Sequence, residues 1–292
     1  MGAMKTNPVK VYWDVLKEAV SRFISEDTFT QSAALSYYTV FSLPPMLFII
    51  FWSAGLLFDE AAIRTAVFDE LGKMIGSDGS DQLLSTIEGI NLHKPGWWES
   101  LIGIVTMLIT SSTVFIAMQS ALNRIFEVQI NRSLKQSIWV MIRDRILSLS
   151  ILAIIAFIMA VSLVITTTIT QAGSALEAWF GEITAWLVFL DFILLNLAVL
   201  TVLFAVMFRY LPDVQMKWRN TWFGAFFTAL LFLGGKSLIA IFIGNSEVAN
   251  FYEAAGSILV LMLWVYYASA IFLFGATITH CRAVQLEASS HA

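Results

Sequence analysis

Polar and charged positions are spaced so unevenly along this chain that the apolar stretches between them define its architecture. No Asp, Glu, Lys or Arg occurs between Asp27 and Asp59, Glu99 and Arg124, Arg145 and Glu177, or Glu253 and Arg282. Each gap exceeds the roughly 20 residues that a helix needs to cross a bilayer. Two further apolar runs, Glu182 to Arg209 and Arg219 to Glu247, are interrupted only by Asp191 and Lys236 respectively. The pattern predicts an all-α, polytopic membrane protein with six transmembrane helices, over about 33–57, 100–123, 146–170, 184–208, 221–243 and 256–280.

The segments outside these runs have patterns of their own. Residues 1–30 hold an amphipathic stretch in which Val11, Val15, Leu16, Ala19 and Phe23 oppose Lys10, Lys17, Glu18 and Arg22. It is expected to lie along the inner membrane surface before the first span. Between the first two spans, Ile63, Val67, Leu71 and Met74 recur at helical spacing, as do Leu83 or Leu84, Ile87 and Ile90 beyond a Gly76–Ser80 turn. This predicts a helical hairpin over 59–96, with Trp97 and Trp98 marking the return to the interface. Residues 124–145 are too polar to span, yet Ile125, Phe126, Ile138, Trp139 and Ile142 suit a surface elbow. Residues 281–292 form a short tail.

Charge supplies an orientation. All but four of the 17 Lys and Arg residues fall in the amino-terminal segment, the elbow, the loop from Arg209 to Arg219, or the tail. The exceptions are Arg64, Lys73 and Lys94 in the first outer loop, and Lys236 within a span. The positive-inside rule then places both termini in the cytoplasm, as six spans require. Composition agrees: 58% of residues are hydrophobic and 13% charged, where soluble domains carry roughly 25% charge. The first thirty residues lack the uninterrupted apolar core of a signal peptide, and one cysteine excludes an intrachain disulfide.

Against this background the polar groups inside spans become candidates for function. Gln31, Tyr38 and Ser42 share a face of the first span, and Gln119 and Asn123 share one in the second. Both stripes fall in the inner half of the bilayer. They are expected either to bond between helices or to line a cavity. Pro44 and Pro45 remove backbone donors near the middle of the first span and predict a kink. Asp191 and Lys236 each lie on the order of 25 Å from the loop joining their spans, hence at matching depth in the outer third. An ion pair between them is the economical expectation, with snorkelling of Lys236 or a gating role as alternatives. Arg124, Arg143, Arg145, Arg209 and Arg219 are placed to recruit anionic headgroups. No small-xxx-small face stands out as a dimer contact, so oligomeric state stays open. Phosphate-binding glycine loops, zinc-ligand pairs and Ser-His-Asp sets are absent. No catalytic residue, metal or cofactor is therefore expected, nor a nucleic-acid partner.

Several stretches in order resemble the YihY/BrkB family of bacterial inner-membrane proteins, long labelled ribonuclease BN. They are Ala33 to Pro45, Asn123-Arg124-Ile125-Phe126 with Arg143, Leu211-Pro212-Asp213 with Trp218-Arg219 and Gly224-Ala225, and Gly256-Ser257 with Leu263 to Tyr267 and Gly275-Ala276. One departure is Thr277, where the family pattern often has an acidic residue. The resemblance implies six spans with cytoplasmic termini. It also implies links to virulence and serum resistance, and a lipid-transport role suggested for some members. Metal-dependent RNA hydrolysis needs clustered ligands, and the cytoplasmic carboxylates Glu127, Asp144 and Asp213 are far apart in sequence. The leading expectation is a non-enzymatic transporter or flippase of a lipid or amphiphile in the inner membrane. The alternative is an envelope-assembly scaffold without transport activity.

Overall fold

In hydrocarbon, every backbone N–H and C=O must find its partner within the protein, which restricts spanning segments to helices or closed barrels. The computed structural model takes the helical solution. It describes residues 8–55, 113–128, 182–214, 216–244 and 256–291, with 64, 65, 67–69, 84 and 110, and contains no strand among them. The elements are α1 (Pro8–Ser25), α2 (Thr28–Gly55), α3 (residues 113–125), α4 (Glu182–Tyr210), α5 (Trp218–Gly244) and α6 (Gly256–His291). Helices α2, α4, α5 and α6 cover the spans expected at 33–57, 184–208, 221–243 and 256–280, and α3 covers the end of 100–123. The span expected at 146–170, nearly all of the 59–96 hairpin, and the elbow beyond residue 128 lie outside the described residues. Ile193–Tyr210 (18 residues) and Ile258–Leu286 (29 residues) are long and apolar enough to cross a bilayer.

Hydroxyls are accommodated inside these apolar helices by donating back to their own backbone. Thr39 Oγ1 donates to Leu35 O (2.7 Å), Thr201 Oγ1 to Leu197 O (2.6 Å) and Thr277 Oγ1 to Leu273 O (2.9 Å). Thr277 is thus a buried, internally satisfied hydroxyl. Helix α2 runs unbroken through Pro44 and Pro45, although neither residue has an N–H to donate.

Helix α6 is the central element, packed against α1, α2 and α5, while α4 packs on α5. Phe204 and Phe208 of α4 meet Phe272 of α6 at ring centroid distances of 6.2 and 5.2 Å. The closest approach is between α5 and α6. A Cβ at Gly224 would overlap Thr279 Oγ1, and a Cβ at Gly275 would overlap Thr228 Oγ1. Each threonine covers the other helix's glycine and donates to the glycine carbonyl four residues back on its own helix (2.7 and 2.9 Å). This is a reciprocal Gly-xxx-Thr crossing between two helices of one chain.

The ends differ from expectation in two places. Helix α6 does not stop near residue 280 but continues to His291, so residues 281–291 are helical rather than a separate tail. Helix α1 packs on α6 where this extension begins. Its Val15 and Ala19 are buried with Ile278 and Cys281, and Phe23 packs edge-on against Phe274 at 5.4 Å. A second apolar strip of α1, Trp13, Val20 and Ile24, remains exposed. One half of its apolar arc therefore docks on the bundle, leaving the other half for the membrane interface.

Candidate functional site

Helices α2 and α3 run antiparallel, tied by Ser42 Oγ donating to Thr110 O at 2.9 Å. Small residues on both, Ala34, Ala117, Ser120 and Ala121, keep the helices from filling the space between them. A groove of about 430 Å³ results, lined also by Gln31, Leu35, Tyr38, Thr113, Ile116 and Arg124. That volume falls in the ~300–1,000 Å³ range of small-molecule sites. From Arg124 to Thr113 the groove follows α3 for about 16 Å at 1.5 Å per residue, roughly half a hydrocarbon core.

Arg124 marks the polar end. Its side chain is exposed and forms no ion pair among the described residues. Gln31 Nε2 donates to Glu26 O at 3.2 Å, whereas Gln31 Oε1 is shielded and accepts no hydrogen bond. The bond to Glu26 O fixes which amide atom is the oxygen. Tyr38 is 40% exposed, beside the exposed rings of Tyr37 and Phe41.

The structure thus brings Gln31, Tyr38 and Arg124 together and sends the remaining stripe residues elsewhere. Gln119 and Asn123 are buried and turn to Asp213 in the α4–α5 loop. Asn123 Nδ2 donates to Asp213 Oδ2 and Asn123 Oδ1 accepts from the Asp213 N–H, both at 2.8 Å. Gln119 Nε2 adds a longer bond to Asp213 Oδ1, 3.5 Å. This clasp was invisible in sequence because its halves are 90 residues apart. Arg209 stacks over the Trp218 ring at 5.7 Å, and Arg219 is exposed. Arg143 and Arg145 lie outside the described residues. Asp191 and Lys236 fall on the backbones of α4 and α5, but their side chains are outside the description.

One junction beside the groove had no sequence signal. Helix α3 ends with Val128 N donating to Asn123 O (2.9 Å) and Glu127 N to Arg124 O (3.1 Å). In such a Schellman end the penultimate position takes a left-handed conformation and usually holds glycine. Here it holds Glu127, with φ 53°. Its carboxylate accepts from Arg22 Nη1 of α1 at 2.7 Å and lies 3.8 Å from His280 Nε2 of α6. That bond explains a side chain at a strained position.

The hydrogen bond from Arg22 holds the Glu127 carboxyl below its ordinary value and raises Arg22. A depressed carboxylate stabilises the fold fully above the ordinary value of about 4.5, and that contribution is lost as pH falls through the depressed value. Because the Glu127 side chain is 63% exposed, the effect is at most about 1 kcal/mol. Melting temperature in detergent should therefore fall on acidification more steeply for the native chain than for Glu127→Gln. Parallel pH curves would remove this junction from the account of stability.

Comparison with known proteins follows from this geometry. A family model described as Virulence factor BrkB matches residues 19–291. The chain is similar to a UPF0761 membrane protein of Verminephrobacter eiseniae, with 24% identity over 96% of this chain and 64% of the relative. Another, from Alcanivorax borkumensis, is 27% identical over 96% of this chain and 62% of its own length. A third, from Rhodospirillum centenum, is 28% identical over 91% and 56%. The chain therefore spans less than two thirds of the length of these relatives. No solved structure matches.

Proposed function

The chain belongs to the BrkB virulence-factor family of membrane proteins, and from that premise we propose that it moves a lipid or other amphiphile in the bacterial inner membrane without hydrolysing ATP. The observation that carries this reading is the groove between α2 and α3. It combines an apolar length suited to an acyl chain with Arg124 and Gln31 at one end. Six spans with both termini inside belong to the same proposal. Support for that orientation comes from Arg22, Arg124, Arg209, Lys217 and Arg219, which sit on helix ends and loops tied together by the Asp213 clasp and the Glu127 junction, with Arg282 on α6 beside them. Exposed Trp218, Trp222 and Tyr210 at that end suit an interfacial belt. Asp191 and Lys236 keep the role of outer gate or brace, and the protein acts as a carrier rather than an enzyme.

The test is translocation of a headgroup-labelled phospholipid by the full chain in liposomes, read as label accessible to a membrane-impermeant quencher. Arg124→Gln should slow translocation at least tenfold while Lys217→Gln leaves it near the native rate. Lys236→Met should abolish it at unchanged thermal stability if Lys236 gates; equal loss of both marks a brace. No translocation by the native chain in either lipid orientation would overturn the reading in favour of a scaffold.

A further inference from the structure

We infer that the α2–α3 groove selects a phospholipid whose phosphodiester headgroup also carries a hydrogen-bond donor, with Arg124 binding the phosphate and Gln31 reading the donor. This deepens the proposed function and rests on its choice of groove.

The charge count comes first. Among the described residues lining the groove, Arg124 is the only cation, and none is acidic. A planar guanidinium that forms no ion pair among the described residues matches one phosphate through two parallel N–H donors. A single cation matches the single charge of a phosphodiester, and a polyanion would leave charge unmatched in a low-dielectric crevice. Ala34, Leu35, Ile116, Ala117 and Ala121 offer apolar contact that fits an acyl chain, interrupted by the hydroxyls of Tyr38, Thr113 and Ser120.

Gln31 supplies the second criterion. An acceptor that is shielded without a partner costs free energy until a donor reaches it. The Gln31 side chain lines the groove, and its terminal torsion is soft. A small rotation presents Oε1 to a donor held near Arg124. An ammonium, as in phosphatidylethanolamine, or a hydroxyl, as in phosphatidylglycerol, satisfies it; a methyl ester does not. The selection follows the rule that a site built to hydrogen-bond a donor rejects the analogue lacking it.

The experiment is lipid binding, which is independent of translocation. The full chain in detergent is titrated with phosphatidylethanolamine, phosphatidylglycerol, phosphatidylmethanol, diacylglycerol and inorganic phosphate, and bound lipid is read by native mass spectrometry. The two donor-bearing lipids should bind about tenfold more tightly than phosphatidylmethanol, and diacylglycerol and inorganic phosphate only weakly. Arg124→Gln should weaken all three phospholipids together. Gln31→Leu should erase the preference for a donor while retaining phosphatidylmethanol binding, which also shows that the variant is folded. A preference that survives Gln31→Leu overturns the assignment of Gln31, and native affinity in Arg124→Gln overturns that of Arg124. Diacylglycerol binding as tightly as the phospholipids removes headgroup selection altogether, and inorganic phosphate competing at equal concentration removes the acyl chain. Selective binding without translocation would leave this inference standing and defeat only the transport reading.

Discussion

Gly224→Ala is expected to destabilise the protein by about 2 kcal/mol or more, whereas Gly234→Ala, ten residues along the same helix, is expected to be neutral or stabilising. Both changes replace glycine by the best helix former, so propensity alone favours both by up to roughly 1 kcal/mol. Surroundings decide the sign. A Cβ at Gly234 meets nothing within 4 Å. A Cβ at Gly224 overlaps Thr279 Oγ1 and comes within 2.9 Å of Gly275 O, a backbone atom that cannot turn aside. Helices α5 and α6 must then separate, which also lifts Ala225 and Ala276 out of the core they share. Gly275→Ala should behave similarly, with partial rescue by Thr228→Ala, since the clashing Oγ1 is removed while the Thr228 Cβ stays close. Thermal melting in detergent measures all four variants. Equal stability of Gly224→Ala and Gly234→Ala would remove the glycine crossing as the constraint on α5 and α6.

That crossing shows why some of the architecture was legible in sequence and some was not. Long uncharged runs announce helices because a helix satisfies its backbone groups within one continuous segment, so α2, α4, α5 and α6 fell where hydropathy put them. Their ends were less legible. Hydropathy stops at the first polar residues, while the helix of α6 carries on to His291. The Gly-xxx-Thr contact was not legible because spacing along one helix does not show which helix stands opposite. A back-bonded hydroxyl behaves as a compact side chain, and a scan admitting Thr would have found 224/228 and 275/279 together.

The polar stripes were legible as faces but not as sites. Period 3.6 groups Gln31 with Tyr38 and Gln119 with Asn123 correctly, yet it says nothing about what stands opposite. Gln31 and Tyr38 face a groove because Ala34, Ala117 and Ala121 leave space there. Asn123 faces Asp213, a loop residue whose position depends on how α4 and α5 turn. Glu127 carried no periodic signal at all. Its role emerges only from a left-handed backbone where glycine would be easier, beside an arginine on another helix.

Asn123→Asp should cost about 2–3 kcal/mol at neutral pH, and the loss should shrink on acidification. In the native clasp the Asn123 amide donates to the Asp213 carboxylate and accepts from its N–H, both at 2.8 Å. The variant keeps the acceptor and replaces the donor by a second carboxylate, so two negative charges meet where Asn123 is only 5% exposed. One of the pair then binds a proton more readily folded than unfolded. With a raised folded pKa the penalty is greatest at high pH and fades as pH falls through that value. Asn123→Leu serves as contrast: it removes both bonds without adding charge, so its loss should be of similar size and free of that acid recovery. The exchange Asn123→Asp with Asp213→Asn restores one carboxylate and one amide in mirrored places and should recover most of the stability, a coupling that a double-mutant cycle reads directly. Because Arg124 follows Asn123 on α3, loosening the clasp should also misplace the guanidinium at the groove. Lipid affinity should therefore drop in Asn123→Asp and return with the exchange. Recovery of stability without recovery of affinity would separate the clasp from the groove and leave Arg124 positioned by the end of α3 alone.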